Sequence, residues 1–376
     1  MQVPSRLARS RAWVPVLLLA GFSSCQVLPP EHAAATGAGS VRASSNERAE
    51  DVAALFARLE PEVVRRLPEA RARRIDVWVQ EHPALYRFAQ GAYQDADGFF
   101  SEAADRIHLR AGADNLERTL AHELVHAHLR GAWKALPGTL EEGLCDHVSG
   151  ELCAEGRAAL RAGRLSCAAF ALGGLALELD VRAPSDEAPG APRRGLEARL
   201  RLEGEPPMEV DPLGVFERQA GLSSSRLTTA HKKAYYGLAY LVAERIVERI
   251  GIDGLHALCV AALRAEETKI ATDDLLAAAE LDHDPAAWKQ ALLGEFEPAD
   301  LRELVRAHPE FLVRTLDEFL ASPASEEELD HALAGVRAEI TLAGTDVRVD
   351  LLLVPEVRAS LAAVARGRRP ENLARR

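Results

Sequence analysis

Asp114-Asn115-Leu116-Glu117-Arg118-Thr119-Leu120-Ala121-His122-Glu123-Leu124-Val125-His126-Ala127 reads as one amphipathic helix, and it decides the fold. Asp114 is placed to cap it, Glu117 follows three residues on as in a capping box, and Leu116, Leu120, Leu124 and Ala127 share one face. The opposite face carries His122 and His126. Residues four apart stand about 40° apart on the helical wheel, so both imidazoles reach one ion, with Glu123 beside them. His-Glu-x-x-His is therefore metal-ligand spacing, and neutral imidazole nitrogen is a preferred zinc donor. In a chain with 12 His among 376 residues the pattern would arise by accident far less than once. His128 falls about 240° from His122 on the wheel and is expected to be structural.

Two protein ligands hold zinc weakly, so a third is expected nearby, leaving one position for water. Leu140-Glu141-Glu142-Gly143-Leu144-Cys145-Asp146 offers candidates on the next helix, and Glu142 is the expected ligand. Asp146, one turn further along the same face, is placed to hold the outer nitrogen of a ligating histidine. Glu141 points about 100° away and is expected in solvent.

Working outward, Val52, Leu55, Phe56 and Leu59 recur at helical spacing before Pro61, and Ile75-Asp76-Val77-Trp78-Val79 alternates as a strand does. Phe99-Phe100 and Arg106-Ile107-His108-Leu109 suggest further short strands. Helices are expected over Leu140–Leu152, over Glu155–Leu177 with a break near Gly163, and over Ala234–Ile250, which Gly251 stops. Residues 180–210 concentrate Pro, Gly and charge and read as a loop or short hairpin. More helices are expected to about Leu333. Ile340–Leu342 and Val347–Val354 then flank Gly344-Thr345 as a β-hairpin, with a last helix from Glu356. The fold class expected is α+β: a small mixed sheet packed on the metal-binding helix, with a mainly helical second lobe. A catalytic domain would span 48–300, and a helix and β-hairpin extension 301–376.

The chain is 48% hydrophobic and 27% charged, enough apolar material for a substantial core. A net charge of -12 argues against a nucleic-acid partner, because such proteins concentrate basic charge. Arg6, Arg9 and Arg11 precede the apolar run Trp13 to Phe22, a secretory pattern too short to span a bilayer. Residues 1–24 are thus expected to be a signal peptide and 25–47 a flexible tether, rich in Ala, Gly and Ser, with no transmembrane helix in the mature protein. Cys145, Cys153, Cys167 and Cys259 match neither a zinc knuckle nor a Cys-x-x-Cys redox pair, and on one helix Cys145 and Cys153 would lie about 12 Å apart, too far to bridge.

Two resemblances add to this reading. Phe22-Ser23-Ser24-Cys25 resembles the lipobox of bacterial lipoproteins, which implies acylation of Cys25, and Gln26 after it implies the outer membrane. The His-Glu-x-x-His helix followed closely by Leu-x-Glu-Gly-Leu resembles the gluzincin metallopeptidases, most closely the peptidase MA-like group of exported bacterial proteins. That likeness covers about residues 75–265. It implies Zn2+ held by His122, His126 and Glu142, with Glu123 as general base, and hydrolysis of a peptide or protein substrate. It further places Tyr236, in Ala234-Tyr235-Tyr236-Gly237, opposite the substrate oxygen. Cys145 stands where the family usually has alanine, the 180–210 insertion is unlike it, and no Gly-x-Met-Glu-Asn segment of the aminopeptidases is present. The rival reading is a lipoprotein scaffold or binding module that keeps this shell and catalyses nothing.

Overall fold

The chain, described by a computed structural model over residues 29–81, 96–153, 155–172, 175–182, 194–200, 214, 229–307, 337–351 and 354–355, opens with an antiparallel hairpin, β1 (His32–Thr36) and β2 (Gly39–Ala43). This corrects the expected tether through residue 47. Ala, Gly and Ser give no local strand signal, but Val41 and Ala43 become fully buried once β2 aligns with a distant strand. The signal peptide, Cys25 and the helix expected from Glu356 lie outside the described residues.

Ser45 caps α1 (Asn46–Arg66), its hydroxyl accepting the Arg48 N–H at 3.2 Å. The helix continues through Pro61 rather than ending before it, because Val63 and Leu67 beyond the proline are anchored in the core. Val52, Phe56, Leu59 and Val63 line its buried face, and each such burial stabilises the fold by about 1.5–3 kcal/mol. Three strands follow, β3 (Ile75–Gln80), β4 (Gly98–Ser101) and β5 (Arg106–Arg110), as the alternation predicts. The sheet order is β1-β2-β3-β5-β4, with parallel pairing inside and antiparallel pairing at both edges, so the sheet is small and mixed. Its residues Ile75, Val77, Ile107 and Leu109 share a core with α1 and with α2 (Leu116–His128).

The remaining helices frame that layer. They are α3 (Gly138–Leu152) and α4 (Arg157–Ala171), which runs unbroken through Gly163 and stops short of Leu177. The expected helical stretch 175–177 is instead the start of a strand. A second sheet forms from β6 (Leu175–Arg182) and β7 (Arg194–Leu200), antiparallel strands that begin before the 180–210 stretch expected to be a loop or short hairpin. Then come α5 (Thr229–Arg264), kinked at Gly251 where φ is 71°, α6 (Thr272–Ala279), α7 (Pro285–Gly294) and α8 (Pro298–Ala307). The late hairpin, β8 (Arg337–Leu342) and β9 (Arg348–Asp350), adds to the earlier one in the order β7-β6-β8-β9. It is therefore not an extension beyond residue 301: β8 pairs with β6 from Leu177 opposite Leu342 to Arg182 opposite Arg337. The architecture is α+β, mainly helical with a small mixed sheet against the His-Glu-x-x-His helix.

Two glycines set how closely α5 approaches. A Cβ on Gly143 would lie 2.0 Å from the Ala239 carbonyl oxygen, and one on Gly237 would lie 2.5 Å from both the Ala168 nitrogen and the Arg164 oxygen. Only hydrogen fits at these crossings, so α5 rests backbone to backbone on α3 and α4.

His108 on β5 stacks on Phe99 with centroids 4.6 Å apart and meets Trp78 edge-on at 5.5 Å. Burial, helped by the Arg106 charge, lowers its pKa to about 4 from an ordinary 6.5. The unfolded chain thus takes up this proton first as the solution is acidified. Above pH ~7 the group contributes nothing to the pH dependence, and stability falls as pH drops from about 6.5 to about 4, by up to about 3 kcal/mol. His128, also lowered to about 4 by burial, acts in the same direction. Urea unfolding at several pH values in this window should show a shallower decline for His108→Phe than for wild type; parallel declines would contradict the assignment.

Candidate metal centre

The helix α2 is capped by Asn115, one residue later than expected, whose side chain accepts the Arg118 N–H at 2.9 Å. Leu120, Leu124 and Ala127 are fully buried, which turns His122 and His126 to the other side, facing α3. His128 is buried against α1, its Nε2 3.6 Å from Glu60 Oε1, and takes the structural role expected of it.

On α3, Glu142 sits between the two imidazoles. Its Oε2 lies 3.2 Å from His122 Nε2 and 3.3 Å from His126 Nε2. The outer nitrogens are held as well. His122 Nδ1 hydrogen-bonds Asp146 Oδ1 at 3.0 Å, as the sequence predicts for Asp146. His126 Nδ1 hydrogen-bonds Glu141 Oε1 at 2.7 Å, which corrects the expectation that Glu141 faces only solvent. The wheel angle fixes where a Cβ points, and the two methylenes of Glu141 carry its carboxylate across the helix crossing.

Asp146 is held in turn by Arg164 of α4, whose Nε donates to Oδ2 at 2.6 Å. Burial opposes the Asp146 charge, yet the Arg164 guanidinium and the His122 bond hold its carboxyl well below the usual range. Glu142 is likewise driven low against its burial, by His126 and His122. Burial also opposes protonation of His122, but hydrogen bonds to Asp146 and Glu142 carry its pKa up to about 9, and that of His126 rises too, with the Cys145 sulfur and Glu142 as the leading causes against burial. The surrounding acidic groups thus favour the protonated form of both imidazoles, and a metal would displace those protons on binding.

The donor set fits zinc. Bonds of about 2.0–2.2 Å to nitrogen and oxygen in a tetrahedral shell put neighbouring ligand atoms about 3.3–3.5 Å apart. The two separations from Glu142 Oε2 are close to that edge, and His122, His126 and Cys145 are the group whose ligand atoms all lie within 4.8 Å of one another. Carboxylates on the outer nitrogens are the usual support for ligating histidines.

Glu123 lies beside this cluster and is 6% exposed. Burial raises its pKa, His122 and His126 oppose that, and the Phe100 backbone N–H of β4 donates to its carboxylate. Tyr236 on α5 is half-buried, with the Arg164 guanidinium carbon 5.1 Å from its ring centroid. Its hydroxyl pKa is raised well above the ordinary value, first by burial and then by the Glu142 charge. The structure thus brings His122, His126, Glu142, Glu123, Asp146 and Tyr236 into one neighbourhood.

Three side chains there escaped the sequence reading: Glu141, Arg164 and Cys145. The Cys145 thiol is fully buried, and His122, His126 and Cys145 each offer a ligand atom within 4.8 Å of the others. Its spacing from Glu142, three residues on one helix, was the available signal. Cys145, Cys153, Cys167 and Cys259 are all unbridged. No helix among the described residues is long and apolar enough to cross a membrane. Comparison with known proteins yields no relative: no family model, no curated protein and no solved structure matches this chain.

Proposed function

We propose that the chain is a zinc metallopeptidase of the gluzincin, zincin-like kind, exported and lipid-anchored through Cys25, hydrolysing peptide or protein substrates outside the cytoplasm. The observation that carries this reading is Glu142 Oε2 poised at 3.2 and 3.3 Å from the two Nε2 atoms whose outer nitrogens are already hydrogen-bonded to carboxylates. His122, His126 and Glu142 would hold the metal. Zinc supplies a Lewis acid there, polarising a carbonyl and lowering the pKa of water towards ~7.

The chain's own groups do the rest. Glu123, one residue from His122 and fixed by the Phe100 N–H, takes the proton of the attacking water and returns it to the leaving amine. Burial shifts its pKa upward, the direction that strengthens a carboxylate as a base. Tyr236 keeps its phenolic proton at working pH and donates a hydrogen bond to the oxygen that gains charge. Asp146, held by Arg164, fixes the tautomer and orientation of His122, and Glu141 does the same for His126.

One observation favours the scaffold reading. Cys145 lies within ligand reach, and four protein ligands would close the shell as in structural zinc sites. Incubating residues 26–376 with a defined peptide library separates the two. New amino termini that a chelator suppresses and added zinc restores are expected; a library left intact by zinc-loaded protein would leave the scaffold.

A further inference from the structure

The metal-binding face of α3 carries one residue that the hydrolytic reading does not use. Glu142, Cys145 and Asp146 follow at spacings of three and one, so all three project towards α2. Glu142 meets both imidazoles and Asp146 meets His122. Cys145, on the Glu141 side of Glu142, is 0% exposed and has its sulfur within 4.8 Å of a ring nitrogen of His122 and of His126. The thiol also interacts with His126 directly.

We propose that the Cys145 thiolate is a fourth protein ligand in the resting metal centre, giving a His2GluCys shell in which water enters only when the sulfur is displaced. This rests on the reading of His122, His126 and Glu142 as metal ligands. A tetrahedral N···S edge is about 3.6 Å, shorter than the 4.8 Å within which the ligand atoms of His122, His126 and Cys145 lie, so metal binding would draw the sulfur and the imidazoles together. On binding, the S–H bond breaks, the sulfur lone pair goes to the metal, and the proton leaves to solvent, with the Glu141 carboxylate, 31% exposed, at the edge of the cluster to pass it outward. No oxidant is involved. An aliphatic residue at this position would bury equally well and leave the shell open, so the sulfur changes which metal the site prefers: a thiolate among nitrogen and oxygen donors favours softer ions and binds zinc more tightly.

Cobalt(II) is the probe. Zinc-free chain 26–376 is titrated with Co2+ and followed by absorption, beside Cys145→Ala and the smaller change Cys145→Ser. Wild type should develop an intense near-ultraviolet sulfur-to-cobalt charge-transfer band at about one ion per chain. Both variants should lose it while keeping the weak visible bands of bound cobalt, and should bind zinc roughly tenfold or more weakly in competition with a chromophoric chelator. Cys153, Cys167 and Cys259 remain in the variants, so loss of the band assigns it to Cys145. Wild type that binds cobalt without the band overturns the thiolate ligand and leaves the three-ligand centre standing. Wild type that takes up no metal overturns both.

Discussion

Replacing Glu123 by Gln should lower peptide hydrolysis roughly a hundred- to ten-thousand-fold, the range that general-base catalysis supplies, while zinc content stays at the wild-type level and thermal stability does not fall. The amide has the shape of the carboxylate, and its carbonyl oxygen still accepts the Phe100 N–H. It cannot take a proton from water. Glu123 is absent from the hydrogen bonds that join His122, His126 and Glu142, so the substitution leaves those contacts intact. Burial of the native carboxylate costs free energy that a neutral amide avoids, which makes a slight gain in melting temperature the expected side effect. A variant with full activity would remove Glu123 from the mechanism, and one with no zinc would make it a structural support of the centre.

Gly143→Ala should be among the most damaging single methyls that the described residues could take, at or above the ~3 kcal/mol upper end for overpacked cores. The added carbon would stand 2.0 Å from the Ala239 carbonyl oxygen and 2.4 Å from its carbon, and both belong to backbone. No rotamer relieves a clash with backbone. Relief requires α5 to move off α3, which carries Tyr236 away from Glu142 and Arg164, so activity should fall even in the fraction that folds. Gly163→Ala is the control. Its Cβ would meet nothing within 4 Å, and it lies inside α4, so alanine there should stabilise by about 0.5–1 kcal/mol through helix propensity. Chemical denaturation of both variants tests the pair of signs. Equal stabilities would show that α3 and α5 are not in the contact described.

What the sequence showed and hid follows the range of the interactions. The pairing of His122 with His126 depends only on helix period, and the meeting of Glu142 and Asp146 with those imidazoles on one further helix, so both contacts were legible. So were β3, β4 and β5, where alternation is strong. The hairpin of residues 32–43 was not, because its Ala- and Gly-rich strands are strands only by pairing with β3 more than thirty residues on. Leu175 and Leu177 were read as the tail of a helix for the same reason: their partners include β8, over 160 residues later. Glu141 was misplaced because a helical wheel describes Cβ directions and not reach. Arg164 carries no local sign at all, since its partner Asp146 and neighbour Tyr236 sit on two other helices.

The metal centre itself is tested most directly by the zinc content of purified residues 26–376, measured by elemental mass spectrometry beside His126→Ala. That substitution removes one imidazole and leaves Glu141 and Glu142 without their shared partner. About one zinc per chain in wild type, with none above background in His126→Ala, is the predicted result. Wild type that stays at background after reconstitution with zinc would contradict the account, because the carboxylates around His122 and His126 would then be holding protons and nothing else.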